Sequence, residues 1–286
     1  MKKKNDRLNQ AIRVFFSRGI IVKISFAIIV LLILVAIFAP VLTQYTETEQ
    51  HLNDKLAKPS KTYLLGTDNL GRDLLTRLLY GARISLEASV LSSLIAACVG
   101  IMFGLVAGYY SGWIGSVIMR LTDAQLSMPP LVLCMVLAAL LGGGVVGVCI
   151  VIGITIMPGY IRMIYGQVLA LRENDFIVAS KLVGQSSWKI LLFHLLPNCF
   201  PTIIVMFTMN LGTAIMLESS LSFLGIGIKA PTPAWGSMVS EGYNYLVMRP
   251  YLSIIPGLCV MLVVIAFNIV GDAVRDAIDP RLRGKL

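Results

Sequence analysis

Polar residues interrupt this chain only at long, uneven intervals, and the apolar runs between them are its dominant pattern. The runs fall at about 20–42, 84–109, 113–141, 145–166, 199–222 and 251–271. Each is long enough for a helix to cross a hydrocarbon core of roughly 30 Å with some tilt. The pattern predicts an all-α integral membrane protein of about six transmembrane helices. The third and fourth runs are the least regular: Pro129-Pro130 interrupts one, and Gly142-Gly143-Gly144 is all that separates the two. The first run follows Lys2, Lys3, Lys4, Arg7, Arg13 and Arg18, as a signal peptide would. It is too long for such a segment and no A-x-A site follows it, so it is read as a retained span.

Composition strengthens this picture. Of the 286 residues, 57% are hydrophobic and 14% charged, and the mean hydropathy is +0.81, more apolar surface than a water-soluble domain needs. The net charge of +9 follows from topology. With the N-terminus inside, sixteen of the 24 Lys and Arg residues fall on the cytoplasmic side and eight on the other, which places both termini in the cytoplasm. No compact basic domain remains to engage nucleic acid. The five cysteines lie in or beside apolar runs with no C-x-x-C pair, and there are two histidines, so no metal site is expected. No G-x-x-x-x-G-K-[ST] string occurs, so the chain is not expected to hydrolyse ATP.

The resulting division is a basic cytoplasmic N-terminus (1–19), a first transmembrane helix (20–42), an extracytoplasmic segment (43–83), a transmembrane core (84–271) and a cytoplasmic tail (272–286). Within the core, the inner segment 167–198 holds Glu173 and Asp175 ahead of a short amphipathic stretch, with Ala179, Ser180 and Lys181 before Gly184, and it closes on Leu196-Pro197. Apolar positions at 176, 177, 179, 182 and 183 predict a helix, and Gly184 a left-handed cap. Such a loop either connects two spans or docks a partner, and thirty patterned residues favour docking. Outside, Gly66, Thr67, Asp68, Gly71, Arg72 and Asp73 form a turn-rich string leading into a helix with Arg77 and Arg83 at its polar edge. Further on, 231–236 is rich in Pro and Gly around Trp235, read either as an interfacial anchor or as part of a docking loop. Gly100, Gly104 and Gly108 clear one helix face for close packing. Asp123, Gln125, Asn210, Glu218 and Asn268 are the polar groups at depth. Asn210 and Glu218 are the candidate pathway residues, although Asp123 and Glu218 also suit solvated positions near the two interfaces.

The inner string resembles the EAA loop of bacterial ABC importer permeases. Ala179-Ser180, Gly184 and Leu196-Pro197 stand at its recurring places, while Val178, Ser180 and His194 replace Glu, Ala and Ile. The outer string Gly66 to Asp73, together with Glu218 to Gly227 and Pro231 to Gly236, is similar to the smaller-loop (C-type) permease of dipeptide, oligopeptide and nickel importers, and the likeness runs to Asp279-Pro280-Arg281-Leu282-Arg283. The resemblance implies a type I ABC importer permease fold in a bacterial inner membrane. It further implies a second homologous permease subunit, two cytoplasmic ATPase subunits carrying ATP and Mg, and an extracytoplasmic solute-binding protein, with no cofactor on this chain. On it, 173–184 is a coupling helix and the solute a di- or oligopeptide, or nickel or a metal chelate. A secondary transporter working without ATP is the alternative class; it would need an ion site near the midplane.

Overall fold

The computed structural model describes residues 14–278. Lys2 to Arg13 and the tail from Asp279 to Lys285, both used in assigning the cytoplasmic side, lie outside the described residues. The first long helix, α1 (Ile20–Leu42), is apolar apart from Lys23 and Ser25 and packs against α2 (Leu74–Tyr110) and α9 (Tyr251–Ile278). At 37 residues, α2 is about 55 Å long and overshoots the hydrocarbon core. It starts at Leu74 instead of at 84, because Asp73 caps it, accepting from the Thr76 amide at 2.8 Å and the Thr76 hydroxyl at 2.7 Å. It ends where Ser111 and Gly112 take φ of 48° and 54°, and the chain doubles back.

The third run is two helices, α3 (Gly112–Leu126) and α4 (Pro130–Leu141), bent by 97° between them. Pro129 and Pro130 supply no amide to continue the ladder. Among the described residues, five helices are long and apolar enough to cross a membrane, or six if the bent pair is one span. The fourth run extends to α5 (Val145–Leu171), which lies along α2 in the most extensive helix contact of the fold. Gly100, Gly104 and Gly108 form that seam: a Cβ at each would come within 2.6–2.7 Å of the Cβ of Tyr160, Ile164 and Val168. Bare backbone therefore sets the helix separation.

Beyond α5 comes the short α6 (Asp175–Leu182), then α7 (Ser187–Phe223). The last helices, α8 (Trp235–Tyr243) and α9, pack on each other and on α7. Within α7, Ile190–Leu195 is π-helical. Pro197 cannot donate to the carbonyl four residues back, and the ladder widens there, the Leu196 amide reaching Leu191. The inner connection is thereby shorter than 167–198: helix runs to Leu171 and resumes at Ser187.

The candidate coupling surface and the opposite cap

At the end of the bundle where α2 finishes and α5 gives way to α6, one side chain fixes α6. Ile177 is 0% exposed and sits in a cluster with Leu105, Ile164, Val168, Ile190 and Leu195. The helix begins at Asp175, whose carboxylate suits the positive N-terminal turn. It finishes in a Schellman arrangement. The Gly184 amide donates to the Lys181 carbonyl at 3.0 Å and the Gln185 amide to the Ser180 carbonyl at 3.1 Å, with Gly184 at φ +76° and open space around it. The Lys181 ammonium lies 5.1 Å over the Tyr109 ring, and the Ser180 hydroxyl donates to its own helix at Phe176.

Everything else on α6 faces outward. Glu173, Asp175, Phe176, Val178, Ala179 and Pro197 are exposed, and Leu182 and Val183 are 83% and 87% exposed. A polar linker has no reason to hold that much uncovered aliphatic surface. Trp188 and Phe193, where the chain returns into α7, are also exposed. Beneath it, the Gln185 side chain meets His194 at 3.0 Å, and the Asn198 amide donates to the His194 carbonyl at 2.7 Å, so the return into α7 is held.

The other end of the bundle carries a compact cap built from 43–73. Gly66 and Gly71 have φ of +81° and +76°, and a Cβ on either would strike the carbonyl of Ala57 or His51, so only glycine fits these turns. Thr67 is fully buried and its hydroxyl donates to the Asp54 carbonyl. Asp68 accepts from the Leu70 and Arg72 amides and from Arg72 Nε at 2.6 Å. Burial, with a hydrogen bond to Asp54, pushes the Tyr63 phenol up to about 12.

Arg77, expected at a polar edge, is instead 1% exposed. It and Arg72 converge on Glu241 of α8, at 3.2 and 2.9 Å, and both also face Asp68. Charges this deep persist because each is paired. Arg249 and Tyr251 reach back to the Leu56 and Ala57 carbonyls, fastening the cap to α9. Trp235 is likewise not an interfacial anchor: it is buried, donates from Nε1 to the Leu78 carbonyl at 3.0 Å, and lies where a Cβ on Gly81 would be.

The two candidate pathway residues part company. Asn210 is half-buried on α7. Glu218 is 0% exposed and lines no open surface, because Ser222, Ser85 and Ser219 donate to it at 2.8, 3.1 and 3.4 Å. It joins α7 to α2 inside the chain. Asp123, a polar group at depth that also suits a solvated position, is half-exposed and ion-paired with Arg162 of α5.

Residues 100–284 match the family described as "Binding-protein-dependent transport system inner membrane component". Residues 9–59 match the N-terminal transmembrane domain of oligopeptide transport permease C. The chain is 40% identical, over 91% of its length and 86% of the relative's, to the dipeptide transport system permease protein of Alkalihalophilus pseudofirmus. It is 38% identical to the glutathione transport system permease protein of Pectobacterium atrosepticum, over 89% of this chain and 85% of that one. Among solved structures, a chain of the MetNI methionine ABC transporter in inward facing conformations superposes with a TM-score of 0.57 at 17% identity, over 72% of this chain and 98% of that chain. That likeness concerns the fold alone, and it agrees with a type I importer permease. With its apolar spans and its match to both families, this chain belongs to the inner membrane components of binding-protein-dependent transport systems and is a multi-pass protein of the bacterial inner membrane.

Proposed function

We propose that the chain forms half of the translocation pathway of an ATP-driven importer of short peptides, with a second permease as the other half. In this reading the α6 end is cytoplasmic and docks one of two ATPase subunits, which carry ATP and Mg, while the 43–73 cap faces the solute-binding protein. The observation that carries it is the α6 surface: an aliphatic face uncovered by this chain, hung from the bundle by Ile177 and ended by Gly184. Closure of a nucleotide-binding partner against that face would be transmitted through Ile177 to α2, α5 and α7, whose residues surround it. The Lys and Arg distribution supports this orientation. Short peptides are favoured over nickel because the relatives are named for dipeptide and glutathione transport.

The test is Gly184→Leu in the reconstituted complex. A side chain at φ +76° strains the cap by roughly 1–2 kcal/mol and shifts the docking face, so peptide delivered per ATP hydrolysed should fall at least about tenfold. Unaltered coupling would overturn the assignment of α6. Collapsing the proton gradient at constant ATP distinguishes an ion-coupled carrier, whose uptake would stop.

A further inference from the structure

Asp123 and Arg162 form an ion pair with side chains 49% and 55% exposed. Arg162 stands nine residues before the end of α5 and Asp123 eleven residues into α3. Both are therefore about 14–17 Å along their helices from the same end of the bundle, below its rim and in the inner half of the span. Charges at that depth do not face lipid; they face water or a polar partner. Two further observations fall at the same place. The 97° break between α3 and α4 exposes non-helical backbone at 127–129, which at membrane depth is tolerated only beside protein or a water-filled cavity. On α5, Gly159 and Gly166 flank Arg162 on the same face, and a Cβ at Gly166 would meet nothing within 4 Å. A Cβ at Gly159 would make only an ordinary 3.7 Å contact with Met206, so neither glycine is forced by tight packing inside the chain as those of the α2 seam are, and the close approach open at Gly166 is to something from outside it.

We propose that Asp123 and Arg162 form a subsite of the translocation pathway that holds the two charged termini of a peptide in transit. The proposal rests on the peptide-import reading above. A dipeptide brings one ammonium and one carboxylate, about 5–7 Å apart. Its carboxylate takes the Arg162 guanidinium from Asp123, and its ammonium takes the freed Asp123 carboxylate, so one ion pair becomes two with no change of net charge. The exposed backbone of the break offers hydrogen-bonding groups to the peptide amide, and the glycine face leaves room for its side chains. Because Asp123 and Arg162 already neutralise each other, the empty subsite carries no net charge to trap its cargo.

The test uses the whole complex in nanodiscs with Met163→Cys, an exposed position beside Arg162. The rate of modification by a charged, water-soluble thiol reagent is read by mass spectrometry at the fragment containing position 163. The expected result is that the site is modified, that Ala-Ala slows the reaction at least threefold, and that N-acetyl-Ala-Ala-amide does not. Adding Arg162→Gln should raise the Ala-Ala concentration needed for half-maximal protection about tenfold, and Arg162→Lys should raise it far less. No modification from water, equal protection by both peptides, or a half-maximal concentration unchanged by Arg162→Gln would each overturn the subsite. If Arg162→Gln fails to assemble, the comparison of the two peptides on the Met163→Cys complex still decides. ATP-dependent uptake of Ala-Ala by the unaltered complex is measured separately. Uptake without zwitterion-specific protection removes the subsite alone, whereas absence of uptake removes the peptide reading and the subsite with it.

Discussion

The two kinds of glycine face can be separated by one substitution made twice. At Gly104, an added methyl would lie 2.7 Å from Ile164 Cβ and 2.9 Å from the Ile161 carbonyl oxygen. The second neighbour is backbone and has no rotamer to yield, so α2 and α5 must part by several tenths of an ångström. Overpacking of this kind costs roughly 1–3 kcal/mol. Ala gains back about 1 kcal/mol over Gly in a helix, leaving a net loss of about 1 kcal/mol. At Gly166 the same methyl meets no atom within 4 Å, so only the gain of about 1 kcal/mol remains. Thermal unfolding of the purified permease in one detergent should therefore move in opposite directions, by about 2–4 °C each way. If Gly104→Ala were as stable as the parent, the seam would not be backbone-limited. If Gly166→Ala lost as much as Gly104→Ala, the face around Arg162 would not be open. Transport supplies the other half: Gly166→Ala should slow uptake while raising stability.

Other expectations follow from the same geometry. Glu218→Leu strands the hydroxyls of Ser85 and Ser222 and should destabilise by about 2–3 kcal/mol, read by detergent melting, whereas Glu218→Gln keeps partners for them and should lose less. Glu241→Ala leaves Arg72 and Arg77 sharing Asp68, at a cost of about 3–5 kcal/mol, and should show first as protease sensitivity in 43–73. The folded Tyr63 phenol is raised from 10.0 to about 12, so its contribution to the cap is complete below pH 10 and fades as pH rises toward 12. An ultraviolet tyrosinate titration, with Tyr63→Phe as the difference, checks that window.

Much of the fold was legible because its signals are local. Apolar runs marked the spans, Pro129-Pro130 marked the break, and Gly184 marked a left-handed cap from composition alone. Other features depend on partners distant in sequence. Arg77 reads as a helix-edge cation until Glu241, 164 residues away, is placed against it. Trp235 looks interfacial until Gly81 provides the slot that receives it. Glu218 was half legible: Ser219 and Ser222 stand at one and four residues' spacing on its helix, a hint of an internally satisfied carboxyl, while Ser85 comes from another span. The subsite around Arg162 is harder still to read, since Asp123 lies 39 residues away and neither residue carries a motif.

The attachment of α6 through Ile177 has a mechanical corollary. Ile177 is the one buried side chain of this helix, so only Lys181 over Tyr109 and the chain at either end oppose its turning, and a push along the line through Ile177 is relayed more directly than a rotation. Under the docking proposed above, a partner that closes with some twist would pass its displacement to α2, α5 and α7 more fully than its rotation.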